Sequence, residues 1–280
     1  MRRVAVIGGG TMGVGIAYVA AQAGGDVLVV EPDAARVDAL RVTIADAASG
    51  AVKRGKLTDK EAAGLIARIV VIDRTSGLPD GLDLIVESVP ERLELKLSVL
   101  AEASARTPAL LASNTSALSI DRLAAAVAQP ANFLGMHFFN PVWSLKLVEL
   151  VRGADTSGAA VQEARAFVSW LSKEALVVRD VPGFATSRLD LIASLEAMRM
   201  LESGVASAED IDRAAVLAYR HPVGPLRLSD IVGLDVRLDI ARTLEAAHGS
   251  RFAPPKILED MVAEGRLGEK SGRGFFAWPR

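Results

Sequence analysis

Three glycines near the start of the chain restrict the fold more than any other feature. The apolar run Val4–Ile7 leads directly into Gly8-Gly9-Gly10-Thr11-Met12-Gly13, and residues with helical periodicity follow. In a strand-turn-helix unit with the spacing Gly-x-Gly-x-x-Gly, the first glycine permits a tight turn, the second lets the backbone approach a pyrophosphate, and the third lets helix and strand pack closely. The phosphates lie at the helix N-terminus, where N–H groups and the helix dipole favour negative charge. We therefore expect this segment to bind a dinucleotide, with contacts from Gly8, Gly10, Thr11, Met12 and Gly13.

Short β-branched runs alternate with helix-period segments up to about residue 180, which favours a parallel sheet covered by helices. The predicted strands are Val4–Ile7, Val27–Val30, Ile69–Ile72, Leu82–Val86, Leu110–Ala112, Phe133–His137 and Leu145–Leu150. The predicted helices between them are Thr11–Gln22, Ala34–Gly50, Asp59–Ala67, Glu91–Ser104 and Ala159–Leu171. The expected fold class is α/β, with an N-terminal Rossmann-type nucleotide-binding domain.

The pattern becomes helical after Asp180-Val181-Pro182-Gly183. We therefore place a domain boundary there and expect domains over residues 1–183 and 184–280, the second all-helical. Its predicted helices are Phe184–Glu202, Ser207–Tyr219 and Leu226–Ala247. Ser207-Ala208-Glu209-Asp210 resembles a capping box, and the glycines and aromatics of 270–276 suit tight turns that dock back onto the body.

Glu31 ends the second predicted strand, 18 residues after Gly13. A carboxylate there can accept hydrogen bonds from an adenosine ribose, which favours NAD over NADP. In the alternative interpretation, Glu31-Pro32-Asp33 caps the next helix, and Arg36 is placed to meet a 2′-phosphate.

The chain has three histidines, His137, His221 and His248. His137 ends a predicted strand of the nucleotide domain, and ligands bind beside the carboxyl ends of strands in such sheets. Imidazole is also the side chain suited to accept a hydroxyl proton near neutral pH, which makes His137 a candidate general base. Glu149 lies inside the apolar run Leu145–Val151, where an unpaired buried charge is costly, so it is the candidate partner of that imidazole. The alternatives are a core histidine and a glutamate that points outward from an edge strand.

Polar residues also follow the predicted strand Leu110–Ala112, as Ser113-Asn114-Thr115-Ser116. They fall on the same rim as His137 and can bind a carbonyl oxygen, although such residues are equally common in turns and helix caps.

The composition excludes several other function classes. With no cysteine, the chain forms no disulfide, thiolate metal centre or thiol nucleophile, and we expect no bound metal. A net charge of −2 provides no broad basic field for nucleic acid or an anionic membrane. The first apolar run ends too soon for a signal peptide, so we expect a cytoplasmic protein.

Taken together, these motifs resemble the L-3-hydroxyacyl-CoA dehydrogenase family over nearly the whole chain, and most closely its 3-hydroxybutyryl-CoA members. Further segments that carry the resemblance are Val86-Glu87-Ser88-Val89-Pro90-Glu91, Met136-His137-Phe138-Phe139-Asn140-Pro141-Val142, Leu147-Val148-Glu149, Val181-Pro182-Gly183-Phe184, Glu209-Asp210-Ile211-Asp212, His221-Pro222-Val223-Gly224-Pro225, Gly233-Leu234-Asp235 and Gly272-Arg273-Gly274-Phe275-Phe276.

The resemblance implies an NAD-dependent oxidoreductase that interconverts (S)-3-hydroxyacyl-CoA and 3-ketoacyl-CoA, with short-chain substrates such as 3-hydroxybutyryl-CoA. It implies that His137 is the base, Glu149 its orienting partner and Ser116 a donor to the reacting oxygen, with Asn140 close by. It also implies that Glu91 and Lys96 lie near the nicotinamide ribose, that Asn114 belongs to the cofactor site, and that the helical domain forms a homodimer.

One position departs from the family pattern. The family usually reads Pro-Gly-Phe, two variable positions, and then Asn-Arg, whereas in this chain Pro182-Gly183-Phe184-Ala185-Thr186 is followed by Ser187-Arg188. Serine keeps a donor but is shorter, so we expect either a water in the gap or a different preferred substrate.

The phosphates of CoA need local cations, and Lys53, Arg54 and Lys56 form the obvious cluster, unless they are only a solvated helix end. Two other functions remain open. One is an NAD-dependent dehydrogenase of a free hydroxy acid such as L-gulonate or carnitine, and the other is a crystallin-like NAD-binding relative without turnover.

Overall fold

The computed structural model describes residues 1–279 of the 280-residue chain. Its contacts divide it into two compact units, Met1–Val181 and Pro182–Arg280. The first unit contains the strands β1 Arg3–Ile7, β2 Asp26–Val30, β3 Ile69–Ile72, β4 Leu84–Glu87, β5 Leu110–Ser113, β6 Phe133–Phe138, β7 Leu147–Arg152 and β8 Glu174–Arg179. Its helices are α1 Thr11–Gln22, α2 Ala34–Lys53, α3 Asp59–Ala67, α4 Leu93–Ser104, α5 Ile120–Ala124 and α6 Gly158–Trp170. The second unit contains α7 Thr186–Glu202, α8 Ala208–Tyr219, α9 Pro225–Val232, α10 Leu234–His248 and α11 Lys256–Ala263.

Within residues 1–279 the strands form one sheet, in the order β3-β2-β1-β4-β5-β6-β7-β8. The chain adds strands on one side of β1 first, as β2 and β3, and then crosses to the other side, where β4 to β8 follow in order. The strand order therefore changes direction between β1 and β4. Ligands bind at such a switch point, outside the carboxyl ends of the strands. Helix α1 begins at this point and is buried without interruption from Gly13 to Ala21. The expected fold class, an α/β nucleotide-binding unit followed by a helical unit, is confirmed.

One strand pairing departs from the parallel sheet that we expected. β6 and β7 are antiparallel, and the register pairs His137 directly with Glu149. The physical reason is the length of the connection, because residues 139–146 are too few for the crossover that a parallel pair requires. Opposite residues in such a pair project from the same face of the sheet, so the antiparallel turn places the two side chains side by side.

The sequence patterns missed three elements and merged two others. β8 is a sheet edge whose side chains are mostly half-exposed, so it lacks the uniformly apolar run of an inner strand. Two short helices, α5 and α11, were also missed. The single helix expected over Leu226–Ala247 is in fact α9 and α10, because Gly233 adopts φ +102° and interrupts the helical backbone.

The second unit is held together by buried carboxylates as well as by apolar packing. Ser207 caps α8 as expected, accepting a hydrogen bond from the Asp210 N–H. Asp230 on α9 accepts hydrogen bonds from the N–H groups of Phe275 and Phe276 and from the Trp278 indole, each at 2.9 Å. The final aromatic segment is thereby docked onto its own unit.

Candidate active site

The glycine loop has the geometry that a close backbone approach requires. Gly8 adopts φ +109°, and a Cβ atom there would lie 2.6 Å from the Ser88 carbonyl oxygen. A Cβ on Gly13 would lie 1.9 Å from the carbonyl oxygen of Gly8, so strand and helix pack with no room for a side chain. A Cβ on Gly10 would meet nothing within 4 Å, so this residue faces open space at the start of α1. The loop therefore leaves the N-terminal N–H groups of α1 accessible to an anion.

Glu31 connects the end of β2 to this loop. It is buried, and its two carboxylate oxygens accept hydrogen bonds from the N–H groups of Gly9 at 3.0 Å and Asp33 at 3.1 Å. The segment Glu31-Pro32-Asp33 does cap the next helix, but through Asp33, which is the N-cap of α2 and accepts hydrogen bonds from the Ala35 and Arg36 N–H groups, while Glu31 is bonded to the glycine loop. Glu31 is held rigidly beside the loop, and Arg36 lies on the same side.

A cavity of about 890 Å³ runs from the glycine loop to the end of β6. Its volume and its glycine cradle suit a dinucleotide together with a small substrate group. The expected site residues that line it are Gly8, Gly10, Thr11, Met12, Glu31, Glu91, Asn114, Ser116 and His137. Arg36 and Arg74 also line this cavity.

His137 and Glu149 form a buried pair on this cavity. The Nδ1 atom of the imidazole lies 2.9 Å from the Glu149 carboxylate, which is fully buried. A carboxylate accepts a hydrogen bond and does not donate one when ionised, so the pairing holds the proton on Nδ1 and the lone pair of the neutral ring on Nε2. Glu149 does not point outward from an edge strand, because β7 is flanked by β6 and β8. The arrangement is suited to accept a proton at Nε2 and to stabilise the resulting imidazolium.

Asn114 fixes the backbone next to the imidazole. Its Oδ1 accepts a hydrogen bond from the Phe138 N–H at 2.9 Å, and its Nδ2 donates to the Ser88 hydroxyl at 3.3 Å. The amide thus joins the carboxyl ends of β4, β5 and β6. Its side chain lines the cavity and also orders the wall around His137.

Ser116 lies on the loop after β5, and this loop donates several hydrogen bonds to the Glu91 carboxylate. One Glu91 oxygen accepts hydrogen bonds from the Thr115 hydroxyl and from the N–H groups of Ser116 and Ala117, the last two at 3.1 Å. Burial acts to raise the pKa of the Glu91 carboxyl, but the Lys96 ammonium and the hydrogen bonds from Thr115, Lys96 and Ala117 outweigh it, so the pKa lies below its usual value. Glu91 is therefore an ionised acceptor at neutral pH.

Lys96 lies behind Glu91 and does not line the cavity. Its Nζ is buried between the carboxylates of Glu87 at 2.7 Å and Glu91 at 3.2 Å. Sequence reasoning missed Glu87, although an acid that directly ends the apolar run Leu84–Val86 was a signal that it is buried and paired.

The other expected residues lie elsewhere. Asn140 is exposed in the connection from β6 to β7, and Ser187 lies in the first turn of α7 in the second unit. Lys53 ends α2 and is exposed, as is Lys56. Lys56 also lines a second cavity of about 410 Å³ in the first unit, together with Lys146 and Lys173.

Two features of the described residues, 1–279, concern other classes of function. No helix there is long and apolar enough to cross a bilayer. No group of three or more histidine, aspartate or glutamate side chains in that range is arranged to hold a metal ion.

Comparison with known proteins places the chain in a family. Residues 3–181 match the model of the 3-hydroxyacyl-CoA dehydrogenase NAD-binding domain, and residues 183–278 match the model of the C-terminal domain of the same enzymes. The chain belongs to the 3-hydroxyacyl-CoA dehydrogenase family. This confirms the expected family, the NAD cofactor and the class of NAD-dependent dehydrogenase.

The relatives match over the full length. The chain is 41% identical to a 3-hydroxybutyryl-CoA dehydrogenase of Mycobacterium tuberculosis, over 99% of both proteins. It is 39% identical to one of Bradyrhizobium diazoefficiens, over 99% of this chain and 95% of the relative. The crystal structure of the (S)-3-hydroxybutyryl-CoA dehydrogenase of Ralstonia eutropha superimposes with a TM-score of 0.95 at 36% identity and covers both chains completely.

Proposed function

We propose that this protein interconverts (S)-3-hydroxyacyl-CoA and 3-ketoacyl-CoA with NAD, and that its substrates are short acyl chains such as 3-hydroxybutyryl. The observation that carries the proposal is the buried His137–Glu149 pair on the same cavity as the glycine loop. The names of the full-length relatives support the choice of substrate.

His137 is the general base in this proposal. Its Nε2 takes the proton of the 3-hydroxyl group, and the negative charge of Glu149, 2.9 Å from Nδ1, stabilises the imidazolium that forms. NAD, when bound, supplies the acceptor for the hydride that leaves C3. In the reverse direction the imidazolium returns its proton to the oxygen of the 3-keto group.

Ser116 and Asn140 complete the reacting end. The hydroxyl of Ser116 donates a hydrogen bond to the reacting oxygen, since Ser116 lines the cavity beside His137. Asn140 follows β6 by two residues and borders the substrate.

The cofactor is held at the other end of the cavity. We propose contacts to NAD from the loop residues Gly8, Gly10, Thr11, Met12 and Gly13, from Glu31 at the adenosine ribose, and from Glu91 and Asn114 toward the nicotinamide. Lys96 supports this end through Glu91, because its Nζ is paired with that carboxylate. The buried carboxylate of Glu31 favours NAD over NADP, since a 2′-phosphate there would meet negative charge.

The CoA moiety is assigned to Lys53 and Lys56, whose exposed ammonium groups suit its phosphates. Ser187 takes the place of the family asparagine and keeps a hydroxyl donor for the substrate, although its side chain is shorter. This same departure favours a second candidate function, the oxidation of a free hydroxy acid.

One assay separates the candidates. The change in NADH absorbance is followed with acetoacetyl-CoA, and then with NAD plus L-gulonate or carnitine. We expect rapid turnover with acetoacetyl-CoA and none with L-gulonate or carnitine. Preference for a free hydroxy acid would replace the proposal with the second candidate, and no turnover with any substrate would favour a binding protein.

We further propose that the protein is a cytoplasmic homodimer joined through its helical unit. Leu189, Leu217 and Tyr219 in that unit expose 69%, 71% and 75% of their surface, and a second copy of the chain could cover these apolar side chains. Light scattering at micromolar concentration is expected to give twice the chain mass, and a monomer would contradict the dimer.

A further inference from the structure

The carboxylate of Glu87 is a buried charge that the proposed reaction does not use. Glu87 ends β4 and is fully buried. One oxygen accepts hydrogen bonds from the Val89 N–H at 2.8 Å and from Lys96 at 2.7 Å, and the other accepts from the Ser113 hydroxyl at 2.6 Å. The side chain therefore joins the carboxyl ends of β4 and β5 below the cavity.

Lys96 extends this network from α4. Its buried ammonium donates to Glu87, to the Val89 carbonyl at 3.2 Å, and pairs with the second oxygen of Glu91 at 3.2 Å. An ammonium has three protons, and these three oxygens account for them. Lys96 thus fixes the position of Glu91 relative to Glu87.

Glu91 ends the network at the loop of Ser116. Its other oxygen accepts from the Thr115 hydroxyl and from the N–H groups of Ser116 and Ala117. Thr115 is itself fully buried, and its hydroxyl oxygen accepts from the Leu118 N–H at 2.9 Å. The Ser116 backbone is consequently held by a chain of charge-assisted hydrogen bonds that begins at Glu87.

Stability alone does not account for such a network. A buried ion pair contributes little net stability, because desolvation of the two charges offsets their attraction. Charge-assisted hydrogen bonds do, however, fix distances and directions more tightly than apolar packing. A misplacement of about 1 Å in a reacting group can lower the rate roughly 100-fold, so accurate placement of Ser116 has a direct effect on turnover.

We propose that Glu87 is a positioning residue for Ser116, acting through Lys96 and Glu91. The inference rests on the proposed role of Ser116 as a hydrogen-bond donor to the reacting oxygen. The Ser116 hydroxyl is then an effective donor only while the charges of Glu87, Lys96 and Glu91 are intact.

The test is a double-mutant cycle of Glu87→Gln with Ser116→Ala, with kcat measured at saturating NADH and acetoacetyl-CoA. Glutamine keeps the shape of the side chain but removes the charge that holds Lys96. We expect Glu87→Gln to lower kcat about tenfold or more when Ser116 is present. In the Ser116→Ala background we expect it to lower kcat less than about threefold, because the group that it positions is gone.

A second variant covers the case in which Glu87→Gln does not fold. Thr115→Val removes one hydroxyl from the Glu91 end of the network and is expected to follow the same pattern in the same cycle. Thr156→Val is its matched control, because Thr156 is also buried, donates to the Phe133 carbonyl at 2.7 Å and accepts from the Gly153 N–H. Thr156→Val is expected to lower the Tm but to leave kcat within about twofold.

The outcomes are distinguishable. Equal losses of kcat in both backgrounds, or no loss when Ser116 is present, would overturn the inference and leave the proposed function intact. If Ser116→Ala alone leaves kcat unchanged, the role of Ser116 in the proposed function is wrong and the inference fails with it.

Discussion

The two ends of the cavity lie along one sheet edge but are built in different ways. The nucleotide end consists of backbone from one continuous segment, Gly8 to Gly13, with Glu31 bonded to it. The chemical end consists of side chains from the carboxyl ends of β4, β5 and β6 and from β7, which runs in the opposite direction. His137, Glu149 and Ser116 come together only because the strands are ordered in this way.

This difference separates binding from chemistry. The glycine loop presents N–H groups and space, which bind an anion equally well before and during a reaction. The His137–Glu149 pair presents a proton acceptor, and the imidazole gains a positive charge beside the constant negative charge of Glu149 as the reaction proceeds. Only interactions that strengthen in the transition state raise kcat. We therefore expect changes at the chemical end to lower kcat and changes at the nucleotide end to lower the affinity for NAD.

The largest effect is expected for His137→Gln at the chemical end. Glutamine can keep a hydrogen bond to Glu149 but cannot take up a proton, so kcat should fall about 1,000-fold. The measurement is steady-state NADH absorbance at saturating substrates. His221→Gln is the control, since that histidine is exposed in the second unit. Loss of activity in the control, or full activity in His137→Gln, would contradict the assignment.

The next effect is expected for Gly13→Ala at the nucleotide end. The added methyl group would lie 1.9 Å from the Gly8 carbonyl oxygen, so the loop must move and NAD affinity should fall about 100-fold. Fluorescence or calorimetric titration with NAD measures this. Gly64→Ala is the matched control, because Gly64 also lies in a helix but a Cβ there meets nothing within 4 Å. Equal NAD affinity in the two variants would show that the loop does not bind the cofactor.

The smallest effect is expected for Glu149→Gln. The amide oxygen can still accept a hydrogen bond from the Nδ1–H group, so the ring orientation is retained, but the charge that stabilises the imidazolium is lost. We expect kcat to fall about 100-fold or less, with NAD affinity within about threefold of the original. Glu163→Gln, at an exposed glutamate that pairs with Arg2, should leave both quantities unchanged. A loss of NAD affinity without a loss of kcat would contradict this role and place Glu149 at the nucleotide end of the cavity.

The same contrast explains what could be predicted from the sequence. The glycine loop, β1 and α1 are contiguous, so local spacing alone identified them. His137 and Glu149 were paired by chemical argument, because a buried histidine beside a buried acid satisfies both groups. Their direct contact depends on the antiparallel turn between β6 and β7, which the expected parallel sheet did not include.

Other features required the three-dimensional structure. Glu87, Lys96 and Thr115 come from three separate segments, and no local pattern connects an acid at a strand end with a lysine one turn into the next helix. The break between α9 and α10 depends on the positive φ of Gly233, whereas the periodicity of the apolar residues continues across it. The edge strand β8 was missed because its side chains are all half-buried or exposed, so it lacks the long apolar run of an inner strand.

We expect the two ends of the cavity to divide cofactor binding from chemistry. The most direct measurement is a calorimetric titration of NAD into the His137→Gln variant. We expect a dissociation constant within about threefold of that of the unchanged protein, even though kcat has fallen about 1,000-fold. A loss of NAD affinity comparable to that of Gly13→Ala would contradict it, because His137 would then belong to the binding end.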